Sequence, residues 1–132
     1  MTIFADTSAI ISLFDEQDPN HLQAQALSSH LKTDSVTSLT SNFVFAEIVT
    51  ILSQKLGKET SNRIGQYIKI SFRIIRLTEE TENLAWEIFK KQTSKNVSFV
   101  DCTCFALYKE KVFDKAFAFD SDFKKNKVMI LE

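Results

Sequence analysis

A chain of 132 residues, 44% hydrophobic and 25% charged with a formal net charge of -1, is the size of one ordinary domain and buries roughly two thirds of its unfolded surface in a single core. Two glycines and one proline exclude a fibrous or linker-rich chain, and the opening MTIFADTS has neither the basic segment nor the long apolar run of a signal peptide. No stretch reaches the roughly 20 apolar residues of a membrane span, so a cytoplasmic protein with no membrane partner is expected.

Thr2 to Ala5 predicts a short buried strand. A helix follows from about Ser8 to Asp15 with Ile10, Ile11, Leu13 and Phe14 as its apolar positions, and Gln17 to Pro19 ends it. A second helix is expected from Asn20 to Leu31, with Leu22, Ala26 and Leu27 apolar, and then a short strand in DSVTSLT. Ser41 or Asn42 caps a third helix carrying Phe43, Phe45, Ala46, Val49 and Leu52, which Gly57 closes. Lys58 to Ile70 predicts a fourth helix with Ile64, Tyr67 and Ile68 on one side, and FRIIRL a strand. Thr78 opens a helix to Gln92 that turns Leu84, Ala85, Ile88 and Phe89 inward, and Ser98 to Lys109 is again helical. KAFAFD and VMILE supply two more strands, while Trp86 and most of the twelve phenylalanines are assigned to the core. Strands alternating with helices define an α/β domain around a largely parallel sheet, whose ligands collect at the carboxyl ends of the strands.

Asp6 ends the first strand and Asp120 follows the strand AFAF, so both stand at such ends. A buried carboxylate costs several kcal/mol unless a partner, water or cation compensates it. Asp6 is therefore either a helix N-cap or a ligand, and the residue alone decides neither. Glu47 in SNFVFAEIV and Asp101 in VSFVDCTCFAL also lie among apolar residues without a local cation, and Asp120 and Asp122 sit between Phe119 and Phe123. Each has an ordinary reading: a solvated helix face, a first-turn acid favoured by the helix dipole, a turn. Together they form a constellation whose mutual repulsion a hard divalent cation would relieve, and oxygen-only ligands suit Mg²⁺ or Mn²⁺. Such an ion activates water for phosphodiester hydrolysis. The glycines are too few for a phosphate-binding loop, His21 and His30 lack the spacing of a ligand pair, and Cys102 and Cys104 read as reduced core thiols.

Asp-Thr-Ser after the first strand, NFVFAE in the third helix, SFVDC at the start of a late helix and AFDSDF before the last strand together resemble the PIN domain, in particular the single-domain VapC-type ribonuclease toxins. The resemblance spans residues 1 to 132 as one domain. It implies a three-layer sandwich with a central, mostly parallel sheet of four to five short strands, a Mg²⁺- or Mn²⁺-dependent endoribonuclease, a homodimer and a small antitoxin partner. Carried over position by position, Asp6, Glu47, Asp101 and Asp120 match the catalytic, metal-binding acids, Asp122 an auxiliary ligand, and Thr7 and Ser8 the supporting hydroxyl residues. Ala118 departs from the Thr that many relatives carry there, and KKNK replaces a frequent glycine, which leaves the orienting hydrogen bond to Thr7 or Ser8.

The near-neutral total conceals segregation: residues 1 to 50 hold six acids against Lys32 alone, and residues 55 to 76 hold six bases against Glu59 alone. Lys58, Asn62, Gln66, Lys69 and Arg73 recur at helical spacing as a basic and polar stripe, the expected RNA contact together with Lys124 and Lys125, with a solvated helix face as the ordinary alternative. Phe14 is a candidate for an apolar groove taking a partner helix. Competing functions are an aspartyl-phosphate phosphotransferase, which wants a second acid where Ser8 stands, a stand-alone RNA-processing nuclease, and a module that binds RNA without cutting it.

Overall fold

The apolar run after Met1 becomes the central strand of a four-stranded sheet in a computed structural model that describes residues 1–132. The strands are β1 (Thr2–Ala5), β2 (Thr37–Ser41), β3 (Arg73–Ile75) and β4 (Lys115–Phe117), in the order β3-β2-β1-β4 and all parallel. Phe4 pairs with Leu39 on one side and Ala116 on the other, so Ile3, Phe4 and Ala5 are shielded on both edges and fully buried. Burying each large side chain contributes roughly 1.5–3 kcal/mol. Parallel neighbours need long crossovers, which the helices supply. These are α1 (Thr7–Phe14), α2 (His21–Ser28), α3 (Asn42–Leu56), α4 (Lys58–Ser71), α5 (Glu79–Lys90), α6 (Phe99–Lys109) and α7 (Ser121–Lys125).

Three hydroxyl side chains start helices where the sequence places them. Ser41 accepts from the Val44 amide, Thr78 from Thr81 and Ser98 from Asp101. Gly57, the sole residue between α3 and α4, has φ 93° and ψ 163°, a conformation essentially reserved for glycine. Gly65 lets α4 pack closely on α3: a Cβ there would stand 3.2 Å from Val49 Cγ1. Phe105 and Phe123 meet edge to face at 5.1 Å, fastening α7 to α6 inside the core.

The expected fold holds with four strands, and several details differ. VMILE contributes only a bridge between Ala116 and Ile130 rather than a fifth strand. The second helix ends at Ser28 and tightens into a 3₁₀ turn over Ser29–Lys32. Leu22, 78% exposed, and Trp86, 51% exposed, lie on the surface rather than in the core, because periodicity identifies a face without showing what covers it. Tyr67 is likewise exposed and packs its ring edge-on against Phe14 at 5.5 Å. The last three residues of FDSDF open a short helix, α7, with Asp120 as its cap, where a turn is the simplest expectation. No helix is long and apolar enough to cross a membrane.

Candidate active site

The acids assemble at the carboxyl ends of the strands, and local capping chemistry holds each of the three aspartates. The Asp6 backbone N–H extends the ladder to Phe117 O (3.0 Å), and its side chain caps α1. One carboxylate oxygen, Oδ2, accepts from both the Ser8 amide (3.3 Å) and the Ser8 hydroxyl (2.9 Å). Asp101 closes a capping box: Ser98 N donates to Asp101 Oδ2 and Asp101 N to Ser98 Oγ, each at 3.0 Å. Asp120 caps α7, its Oδ1 accepting from the Asp122 amide at 2.9 Å. In every case one oxygen serves the backbone. The other receives nothing at Asp101 and Asp120, and at Asp6 meets only the Cys104 thiol at 3.9 Å. Cap and ligand are therefore compatible roles of a single carboxyl group.

Electrostatics tie the four acids together. Burial pushes Asp6 up to about 7, the charge of Asp101 adds to that, and the hydrogen bonds from Ser8 and Thr7 oppose it. Burial likewise lifts Asp101 to about 6, with the charges of Asp120 and Glu47 adding and the Ser98 bonds opposing. Asp120 is raised by burial and by Asp122, against the pull of Lys125. The Cys104 thiol, held neutral by burial, also feels Asp6, Asp101 and Glu47. Cys102 and Cys104 are both free and buried, as expected of core thiols.

This is a cluster of oxygen donors short of positive charge. No three His, Cys, Asp or Glu side chains are drawn close enough to form a finished ligand cage. A hard divalent cation takes oxygen donors of this kind and can keep water in its remaining positions. Unengaged oxygens on Asp6, Asp101 and Asp120 and a half-buried Glu47 provide such a donor set.

The supporting residues divide. Ser8 bridges the site, its hydroxyl donating to Asp6 while accepting from the Phe119 N–H at 3.1 Å, which supplies the orienting contact that Ala118 lacks. Thr7 contributes its backbone, and its own hydroxyl is the buried side-chain polar atom left without a partner. Among the basic residues, Lys125 acts on Asp120 and lies 3.9 Å from Asp122, whereas Lys124 pairs with Glu132. Lys58 and Lys69 are exposed on α4, where Lys69 sits 5.5 Å above the Phe45 ring. Arg73 leaves the stripe: the helix ends at Ser71, and Arg73 begins β3. The sequence reading places Ser98 at a helix start and Cys104 in the core but not against the acids, which both touch directly, although Ser-x-x-Asp before an apolar run is a legible capping signature.

A PIN domain profile matches residues 3–128, and the chain belongs to the PIN-domain family, a nuclease fold. Within that family it is similar to the VapC-type endonucleases. It is 32% identical over 123 residues to the 23S rRNA-specific endonuclease VapC20 of two Mycobacterium tuberculosis strains, covering 92% of this chain and 91% of theirs. The crystal structure of Mycobacterium tuberculosis VapC20, described as a Sarcin-Ricin loop cleaving toxin, superimposes with a TM-score of 0.85 at 30% identity over 96% of both chains. VapBC-1 from nontypeable Haemophilus influenzae shares the fold at TM-score 0.67 and 11% identity, covering 98% of this chain and 96% of that one. VapBC2 from Rickettsia felis, bound to a DNA fragment from their promoter, does so at 0.67 and 15%, covering 100% and 98%.

Proposed function

We infer that this chain is a divalent-metal-dependent endoribonuclease of the VapC type, cutting a loop of 23S rRNA as the toxin of a toxin–antitoxin pair. The observation that carries this is the burial of Asp6 and Asp101 at the sheet's carboxyl edge with no basic side chain paired to either, an arrangement in which burial and mutual charge raise both carboxyls and a bound cation would relieve them. Mg²⁺ or Mn²⁺, when bound, supplies that charge and an activated water for attack on the phosphodiester. Asp6, Glu47, Asp101 and Asp120 would hold the ion, with Asp122 as auxiliary. The protein's part is preorganisation: Ser8 fixes Asp6, the Ser98 capping box fixes Asp101, and the Asp122 amide fixes Asp120. The RNA backbone passes along Lys124 and Lys125, with Lys58 and Lys69 as outlying contacts and Arg73 the most remote candidate.

Two surfaces support the expected partners. A groove of about 840 Å³ between α1, α2 and α4, with Leu13, Phe14, Leu31, Tyr67 and Phe72 among polar and charged neighbours such as Glu16 and Lys32, suits an amphipathic antitoxin segment. A row of rings, Phe43, Phe99, Phe89 and Trp86, at centroid spacings of 6.4, 6.0 and 5.8 Å, crosses α3, α6 and α5 and suits a second copy in a homodimer.

The test is incubation of purified protein with ribosomes or 23S rRNA in Mg²⁺, Mn²⁺ or EDTA, with cuts mapped by primer extension. Metal-dependent cuts lost in Asp101→Asn are expected. Equal cutting in EDTA or by Asp101→Asn would refute the reading.

A further inference from the structure

Beside Asp120 a second cleft opens, of about 360 Å³, between Gln23 of α2, the flanking residues Phe119 and Ser121, Lys124 of α7, and Glu132. Its back is set by the bridge to β4: Ala116 N donates to Met129 O and Leu131 N to Ala116 O, each at 2.8 Å. That parallel pairing carries Glu132 to the carboxyl edge of the sheet. There its carboxylate pairs with Lys124 across the mouth. Ala118 and Leu131 make the cleft's buried apolar lining, and Phe119 adds a half-exposed ring. Gln23 and Ser121, both exposed, bring a side-chain amide and a hydroxyl to the cleft. The cleft offers an apolar wall with one ring, an exposed amide and hydroxyl, and one ammonium, Lys124, facing the carboxylates of Asp120 and Glu132; with Asp120 engaged in the proposed metal site and Glu132 displaced, these groups match the needs of an unpaired nucleotide. Its base packs on the wall, its edge meets the amide, and its phosphate meets the cation.

Glu132 occupies the position such a phosphate would take. Both members of the Lys124–Glu132 pair are more than half exposed, so the contact is screened and opens readily. We propose that this cleft receives the unpaired nucleotide next to the scissile phosphate, that Gln23 reads its base, and that Glu132 holds Lys124 until the RNA phosphate displaces it. The inference rests on the endoribonuclease reading and adds a specificity residue and a competing carboxylate to it.

The experiment measures binding and cutting separately. Fluorescein-labelled pentaribonucleotides differing at one position are titrated in EDTA at several salt concentrations with wild type, Gln23→Ala and Glu132→Gln, whose exposed side chains leave the core untouched. Wild type prefers one base, and Gln23→Ala loses about tenfold of that preference, the weight of one amide-to-base contact. Glu132→Gln binds every oligonucleotide about two- to fivefold more tightly and steepens the salt dependence by about one released ion, because Lys124 then meets the phosphate without a competitor. A wild type without base preference, a Gln23→Ala variant that keeps it, or a Glu132→Gln variant with unchanged affinity and salt slope would each overturn the proposal. The same oligonucleotides in Mn²⁺ separate the two readings: absence of any cutting by wild type removes the nuclease assignment, whereas cutting with a base preference indifferent to Gln23 removes only the subsite.

Discussion

Replacing Asp6 with Asn should stabilise the metal-free protein, and by an amount that grows with pH. The Asp6 carboxyl stands at about 7 in the fold against 3.8 as its ordinary value, so the folded state holds its proton more tightly than the unfolded state. The stability associated with that proton is fully present below the unfolded value and is lost as pH rises through about 7. At 1.36 kcal/mol per unit the loss approaches about 4 kcal/mol above neutrality and is about 1–2 kcal/mol near pH 5. Asn carries no charge and caps a helix as well as Asp does, and its oxygen can accept both Ser8 bonds. Urea unfolding followed by circular dichroism in EDTA, on both proteins at acid and alkaline pH, gives the difference directly. The variant should gain about 2–3 kcal/mol more at about pH 8 than at about pH 5. A gain independent of pH, or a less stable variant at the higher pH, would refute the claim that Asp6 is an uncompensated buried charge.

The opposite remedy is to add the cation. At a hundredfold excess over its Kd, Mn²⁺ or Mg²⁺ should stabilise wild type by about 2.7 kcal/mol, seen as a rise in Tm of several degrees that EDTA reverses and Asp6→Asn or Asp101→Asn abolishes. Ser8→Ala strands the Phe119 N–H and removes a bond that lowers the Asp6 pKa, so it should cost about 1–3 kcal/mol in unfolding experiments. It should also move the acid limb of the cleavage pH profile upward, with activity recovered at higher pH. Gly57→Ala places a Cβ on a backbone with φ 93° and should destabilise by about 1–3 kcal/mol while leaving the pH dependence of cleavage unchanged, a contrast that thermal melts and rate profiles on one preparation can establish.

Alternation of apolar runs and helical faces was enough to read the parallel sheet, because each buried strand and each amphipathic stripe leaves its own period. The acids were legible for a different reason. Asp6, Glu47 and Asp101 stand in apolar surroundings without a neighbouring cation, and burial, the first cause of the raised values at Asp6 and Asp101, is what an apolar context foretells. Sequence could not reveal that one carboxylate oxygen caps while the other faces the cluster, since that division depends on side-chain rotation. Arg73 was joined to the α4 stripe by counting residues across Phe72, where the helix has already ended. Leu22 and Trp86 carry apolar side chains on faces that no neighbouring element covers, a fact about tertiary packing that local periodicity does not contain. Helix α7, SDFKK, is five residues long, too short for any periodic signal, and only its Asp120 cap marks it.

The strand order has a consequence in time. β1 is the first element made, yet its neighbour on one side is β4, from Lys115–Phe117. Asp6 and Asp101 can find their places once the chain is mostly built, but Asp120 reaches them only after β4 has docked beside β1 and α7 has turned. Contacts so distant in sequence close late. A sheet without β4 therefore holds only part of the acid cluster. Assembly of the candidate site is thus tied to completion of the sheet, and the two are made or lost together.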